Sequence, residues 1–357
     1  MLWQTPVTDM STYETPNPSV SGIHLPPHAV ANESHATGDR LLSILSPAQR
    51  QRVHSIAQLL KDPARTQIIA FKGMKPHTQT ELNAAHGMES SMADDCRSID
   101  TPTILLGEDG EIILVYLPDF FTHENVDKTM AAVDSLLAEV HLTSPKKDCR
   151  HKGINMADLK DKYGPGKFGT LHCAAWMEQG KSYDGPLISR EMQKSQRVNR
   201  ATCTFIQNLA PVKEELALLY AAIAPNGWRM CSELGTKLET HIPAMKILRT
   251  SAIDPWCSHV LVSNLPSTVH RDMSDAVHSL SGLCCCGSFL WSWLVLYTLG
   301  IKVRYKPTDG VLLNTFLLPH FVFWAIDDPK QIVTRHSLAF FNHQDVLDWV
   351  EKKITDE

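Results

Sequence analysis

Residues 287–320 read GSFLWSWLVLYTLGIKVRYKPTDGVLLNTFLLPH, and this stretch has the texture of short β-strands. Its most apolar run, Phe289 to Ile301, is 13 residues long. A bilayer-spanning helix needs about 20, so the run suits buried strands. Ile301, Val303 and Tyr305 then alternate with Lys302, Arg304 and Lys306, the period-2 pattern of a half-exposed strand. A further strand is expected over 311–318. Working outward, strands are expected over 258–264, 268–272 and 334–341, and a closing helix over 344–353 carries Val346, Leu347 and Val350. Short strands at this density imply a sandwich or barrel with helices packed outside. No internal repeat is visible.

Upstream of about residue 245 the pattern is mixed. Residues 1–38 are rich in Pro, Ser, Thr, Asn and His and read as a flexible arm. Ser46-Pro47 opens a helix with Ser at the N-cap and Pro at N1, and Val53, Ile56, Leu59 and Leu60 form its apolar stripe. Residues 72–100 read as an irregular connection. Residues 103–117 read as two strands around an Asp109-Gly110 turn. Val126, Met130, Val133, Leu137 and Val140 mark an amphipathic helix. Residues 141–200 are turn-rich and basic, broken at Gly164-Pro165-Gly166, and a helix over 212–223 is expected to stop at Pro225-Asn226-Gly227. The expected organisation is an arm (1–38), a helical and irregular extension (39–99) and a main domain (100–357).

The chain has 357 residues and a net charge of -5, which excludes a globally basic nucleic-acid binder. The charge is uneven. The first 150 residues carry seven more acidic than basic groups, whereas residues 146–200 carry six more basic than acidic ones. Such a patch can follow phosphates; a solvated lysine-rich loop is the plainer explanation. Nine cysteines without a CxxC pair argue against a disulfide framework and for a reducing, intracellular compartment. Cys284, Cys285 and Cys286 are consecutive, and in an extended segment their side chains diverge, which disfavours a shared zinc. The N-terminus shows no secretory pattern, and no membrane association is expected.

Three motifs carry chemistry. In His270-Arg271-Asp272, residues two apart on a strand face the same way, so an imidazole and a carboxylate reach one cavity. His320 follows 48 residues after Asp272, at the end of an apolar strand. Two imidazoles and one carboxylate on one face of a metal, with other positions open, is the ligand set of non-haem Fe(II) oxygenases. Third, Arg335-His336-Ser337 begins an otherwise apolar strand. An arginine inside a barrel is costly unless it meets a carboxylate, and a guanidinium binds one bidentately. By period 2, Arg335, Ser337, Ala339, Phe341 and His343 share one face, and Leu338 and Phe340 the other. Each motif alone is weak; their order in one chain is far less accidental.

With those motifs, and with VHRDMSD (269–275) and RHSLAFFNH (335–343), the chain resembles the 2-oxoglutarate/Fe(II) dioxygenases. Among them it is most similar to the TET/JBP group, especially the fungal branch. The resemblance covers roughly residues 100–353 and implies an α+β fold: a double-stranded β-helix (jelly-roll) core flanked by helices. It implies Fe(II) on His270, Asp272 and His320, and 2-oxoglutarate held by Arg335 with Ser337. It also implies a flipped 5-methylcytosine-like base in DNA, met by Asp275, Phe341 and His343 and oxidised at its methyl group with molecular oxygen. A nuclear location would follow from that substrate, since Lys146-Lys147 with Arg150 and Lys152 is too sparse a basic signal. The segment GTLHCAAWMEQGKSY (169–183) also resembles the family and is the expected DNA-facing surface.

Two departures stand out. Where the family has paired glycines, this chain has Trp291-Ser292, and where it has Pro-Gly-Asp, this chain has Pro307-Thr308-Asp309. Glycine permits close backbone approach, so the replacements are expected to narrow the cavity or mark divergence. Two rival functions therefore stay open: an oxygenase of the same fold acting on a protein side chain or small metabolite, and a non-catalytic interaction module. A zinc protein built on Cys284–Cys286 is a third, weaker rival. The oligomeric state is open.

Overall fold

The computed structural model describes residues 42–71, 78–143, 149–151, 157, 159, 160, 167–178, 185–289, 292–324 and 334–355. The proposed arm (1–38), the Gly164-Pro165-Gly166 break and the Lys146-Lys147 pair lie outside these residues.

The N-terminal part supplies three helices and two strands. Helix α1 (Pro47–Lys61) starts as expected: Ser46 and Gln49 form a reciprocal capping box, Pro47 opens the first turn, and Val53, Ile56 and Leu60 are buried. Strand β1 (Gln67–Ala70), helices α2 (Gln79–Ala84) and α3 (Glu89–Asp95) and strand β2 (Arg97–Ile99) follow. Residues 78–100 are therefore ordered, not the irregular connection expected of them. Their helices are too short to show periodicity in sequence, and α2 is announced only by a Thr78–Glu81 capping box.

Strands β3 (Thr103–Leu106) and β4 (Ile112–Leu117) pair antiparallel around the expected turn. Helix α4 spans His123–Glu139. Within the segment read as turn-rich lie strand β5 (Gly169–Trp176), strand β6 (Leu187–Ile188) and helix α5 (Gln196–Asn208). Helix α6 (Ala210–Ile223) ends where expected, but Pro225 starts the next helix, α7 (Pro225–His241), instead of a loop. A proline at N1 forfeits no hydrogen bond, because that N–H has no intrahelical acceptor.

The remaining elements are β7 (Ser258–Ser263), β8 (Ser281–Gly287), β9 (Ser292–Leu296), β10 (Ile301–Arg304), β11 (Gly310–Leu313), β12 (Phe321–Trp324), β13 (Arg335–Phe341) and α8 (Gln344–Thr355). The expected strand at 268–272 is a single antiparallel bridge between His270 and His320. Two sheets result. The larger runs β1-β3-β4-β11-β8-β13-β7-β5-β6 and the smaller β12-β9-β10-β2. All pairings are antiparallel except β1 with β3 and β10 with β2. Both parallel partners come from residues before 100, so the N-terminal extension edges both sheets.

Alternation along the strands sorts the core. Leu283, Cys285, Val311 and Leu313 of the larger sheet pack with Leu294, Leu296, Ile301 and Val303 of the smaller one. The opposite face of the larger sheet sends Cys284, Cys286, Leu338 and Phe340 into a helical layer with Leu216, Tyr220, Trp228 and Trp256. The three consecutive cysteines therefore point to alternate faces, and the zinc reading of Cys284–Cys286 is incompatible with this arrangement. On the outer face of the smaller sheet, Leu82, Ala85, Ala93 and Cys96 cover Val295 and Phe321. No helix among the described residues is long and apolar enough to cross a membrane.

Of the departing residues, Ser292 and Thr308 are accommodated. Ser292 is buried, and its hydroxyl donates to Tyr305 O at 2.5 Å; Trp291 lies outside the described residues. At the other site Asp309 is fully buried and accepts from Lys306 N and Asp119 N, each at 3.0 Å, and from Tyr116 OH at 3.2 Å. Thr308 adds a bond to Asp119 at 2.8 Å. Neither Ser292 nor Thr308 lines the cavity described below, so these two replacements do not narrow it.

Candidate metal centre and substrate cavity

His270 and His320 face each other across their bridge, with reciprocal N–H to carbonyl bonds of 3.1 and 2.9 Å. The backbone of Asp272 donates to Thr315 O at 3.0 Å. These links bring one ligating atom from each of His270, Asp272 and His320 within 4.8 Å of one another. The regular strand expected to align His270 and Asp272 is absent, yet the two converge, because the bridge fixes the first and the bond to residue 315 fixes the second.

The imidazoles are set for a metal. A backbone carbonyl only accepts, so Nδ1–H of His270 donates to Thr268 O at 2.7 Å and Nδ1–H of His320 to Leu318 O at 2.9 Å. Each therefore keeps its Nε2 lone pair for the cluster interior, an orientation typical of ligand histidines. Nε2 of His320 lies 3.7 Å from Asp272 Oδ2. Burial, helped by the neighbouring His320, pushes His270 down to about 3, so this ring is neutral, the form that binds metal. Two imidazoles and a carboxylate fit Fe(II), and the arrangement contains no thiolate that would favour zinc.

The triad sits in a cavity of about 490 Å³ between the sheets. Asp275, Ser337, Phe341 and His343 all line it. Arg335 is 2% exposed. Its guanidinium lies 5.4 Å from the ring centres of both Phe289 and Tyr305, and Nη1 donates to Ser337 Oγ at 2.5 Å. Ser337 and Tyr305 are themselves cavity-lining, so the cation is turned inward, not toward bulk water.

The three residues expected to meet a base come together at one end of the cavity. A bridge pairs Asp275 with His343. Their side chains approach to 3.9 Å, and the rings of Phe341 and His343 meet edge-on at 5.1 Å. Asp275 Oδ2 accepts from Thr315 Oγ1 at 2.6 Å and Ser281 Oγ at 3.4 Å. Burial, with the nearby Asp272 charge, raises the Asp275 carboxyl well above the usual carboxylate range. Burial lowers His343. Both shifts favour the uncharged form of the group, the acid of Asp275 and the neutral imidazole of His343.

Sequence reasoning missed Arg150, His172, Trp176 and Thr315, all of which line the cavity. His172 and Trp176 come from β5, which is mostly buried within the larger sheet. Of the segment expected to face DNA (169–183), His172 and Trp176 face the cavity and the rest of the strand is buried, while residues 179–184 lie outside the described ones. The strand had been masked by its setting among turn residues and lysines.

Comparison with solved structures finds NgTET1 in complex with 5mC DNA, at TM-score 0.52 and 14% identity, covering 85% of this chain and 92% of that one. The chain has a double-stranded β-helix fold. Looser overlaps are with the non-haem α-ketoglutarate-dependent carbocyclase SnoK from nogalamycin biosynthesis (TM-score 0.29, 9% identity, 75% of this chain and 87% of that one) and with JOX2 in complex with 2OG, Fe and JA (TM-score 0.30, 14% identity, 82% and 83%). Scores that low carry no argument. No family model matches the sequence, and no curated protein does.

Proposed function

We propose that this chain is a 2-oxoglutarate- and Fe(II)-dependent dioxygenase that oxidises the methyl group of a 5-methylcytosine-like base in DNA. The observation that carries the reading is the convergence of His270, Asp272 and His320 to within 4.8 Å at the wall of a cavity. The Arg335–Ser337 pair beside that cavity supports it. Bound iron and 2-oxoglutarate would supply, with molecular oxygen, the oxidation of an unactivated C–H bond.

The residues divide the remaining work. His270, Asp272 and His320 would hold the metal at the cavity wall. Arg335 offers the far carboxylate of the co-substrate two parallel N–H donors in a low-dielectric site, with Ser337 fixing the guanidinium plane. A base within a duplex cannot reach such a cavity and must be flipped out. Phe341 provides a face for stacking. Asp275, whose carboxyl burial pushes toward its neutral form, meets the polar edge of the base, and His343 supplies a second polar contact. That NgTET1 is found in complex with 5mC DNA supports the choice of substrate.

The test is incubation with methylated duplex DNA, Fe(II) and 2-oxoglutarate, followed by mass spectrometry of the nucleosides. Oxidised methylcytosine should form with the wild type and be absent with Asp272→Ala. Succinate release without any oxidised nucleoside would refute the substrate and point to the protein or small-metabolite oxygenase. No succinate from any substrate, in a folded protein, would leave the non-catalytic module.

A further inference from the structure

We propose that Arg150, oriented by His172 and Glu191, is a positioning residue for the metal-binding carboxylate of Asp272; this rests on the reading of His270, Asp272 and His320 as metal ligands. The turn Cys149–His151 is clamped to the loop that carries the ligands. Thr268 N and Oγ1 donate to Arg150 O at 2.8 and 3.0 Å, and His151 Nδ1 donates to Pro266 O at 2.8 Å. Thr268 O in turn takes the Nδ1 hydrogen of His270. One residue, Thr268, thus joins the Arg150 backbone to the first ligand.

The Arg150 side chain continues to the second ligand. Its Nη1 lies 3.4 Å from Asp272 Oδ1 and its Nη2 lies 3.3 Å from His172 Nε2. A guanidinium only donates. His172 must therefore accept through Nε2 and carry its hydrogen on Nδ1, which lies 3.4 Å from Glu191 Oε2. Glu191 is itself fixed by the His172 backbone N–H and by Thr143 Oγ1. The row Glu191, His172, Arg150, Asp272 alternates acceptors and donors without a mismatch, and all its polar links are at least half-buried or sit in the cavity wall.

The geometry also splits the two oxygens of Asp272. Oδ2 faces His320 Nε2 at 3.7 Å, on the ligand side, while Oδ1 faces Arg150. Held this way the carboxylate turns Oδ2 toward the ligand histidines and Oδ1 toward Arg150. Arg150 thus sets the direction of the one charged ligand.

Co(II) titrated into the metal-stripped full chain, read by its visible d–d absorption, tests this. Arg150→Met is expected to weaken Co(II) binding about 10–100-fold, the usual cost of losing a partner of a ligand, and to alter the band shape as the carboxylate reorients. Glu191→Gln, which leaves Arg150 in place, should weaken it several-fold in the same direction. Arg150→Met/Glu191→Gln should bind no more weakly than Arg150→Met alone, because the two act through one path. Wild-type affinity and band shape in Arg150→Met, with unfolding temperature unchanged, would overturn the proposal. So would additive losses in the double variant, or a rise only in the KM for 2-oxoglutarate. If Arg150→Met does not fold, Glu191→Gln decides: an unchanged Co(II) affinity there rejects the relay. The metal reading is judged separately. Wild-type binding abolished by Asp272→Ala upholds it whatever Arg150 does, and no wild-type binding removes both.

Discussion

Arg335 is the residue on which the proposed co-substrate site rests. At 2% exposure it places a full cation between two aromatic rings and a hydroxyl, an environment that tolerates the charge but best matches it with an anion. Lysine at this position would keep the charge and lose the planar fork. Arg335→Lys should raise the KM for 2-oxoglutarate about 10–100-fold, or roughly 1.4–2.8 kcal/mol, while Co(II) affinity stays within two-fold (about 0.4 kcal/mol) of wild type. Equal loss in both would mean that the arginine supports the metal site, not the co-substrate. Arg335, like the three triad residues, is legible in sequence because it breaks a local apolar pattern at a defined register. Arg150 is not: it lies 122 residues from Asp272, in a turn with no periodicity around it. Thr315 and His172 are invisible for the same reason. A hydroxyl or imidazole becomes a site residue through a partner that only the fold supplies.

At the scale of elements, the strands read most easily were those with one polar face, such as β10, or a turn of known chemistry, such as the β3–β4 hairpin. The central strand β8 was not read as one. Its sequence, Ser281–Gly287, is small and sulfur-rich, and it is buried on both faces between β11 and β13, so it shows neither alternation nor β-branched residues. Its last residue ties it to the candidate site. Gly287 has φ +135°, and a Cβ there would lie 2.1 Å from Thr334 O and 3.1 Å from the Arg335 Cα. Gly287 is also the register partner of Arg335. Substitution must therefore either push β13 away or strain β8. Gly287→Ala should cost about 1–3 kcal/mol or more, visible as a lower urea midpoint. Because the strain falls beside Arg335, it should also raise the KM for 2-oxoglutarate. A variant as stable as wild type would show that β13 yields freely at this end.

Across the whole molecule, the larger sheet separates two environments that share strand β13. Toward the smaller sheet it presents Ser337, Ala339 and Phe341 to the cavity; toward the helices it buries His336, Leu338 and Phe340. His336 is thus an imidazole in a core layer, paired in register with Cys286 and Ser263. Burial, and then the adjacent Arg335 charge, pushes it from 6.5 down to about 4. The cost of that placement appears on acidification. In the unfolded chain the ring takes up a proton near pH 6.5, and in the folded chain only near pH 4, so between those values the unfolded state binds more protons. Stability must then fall as pH falls through this window, by about 3 kcal/mol for a shift of this size. His270, lowered to about 3 in the metal-free protein, adds to the same slope. Replacing only the core histidine separates the two. His336→Leu fills the same layer with an apolar side chain that cannot titrate. In metal-free protein, its unfolding free energy should decline less steeply than that of wild type between about pH 6.5 and 4, by close to one proton's worth of slope. Urea titrations at several pH values measure it. Parallel curves for the two proteins would mean that His336 takes its proton inside the folded layer, and that the helical face of the sheet admits water.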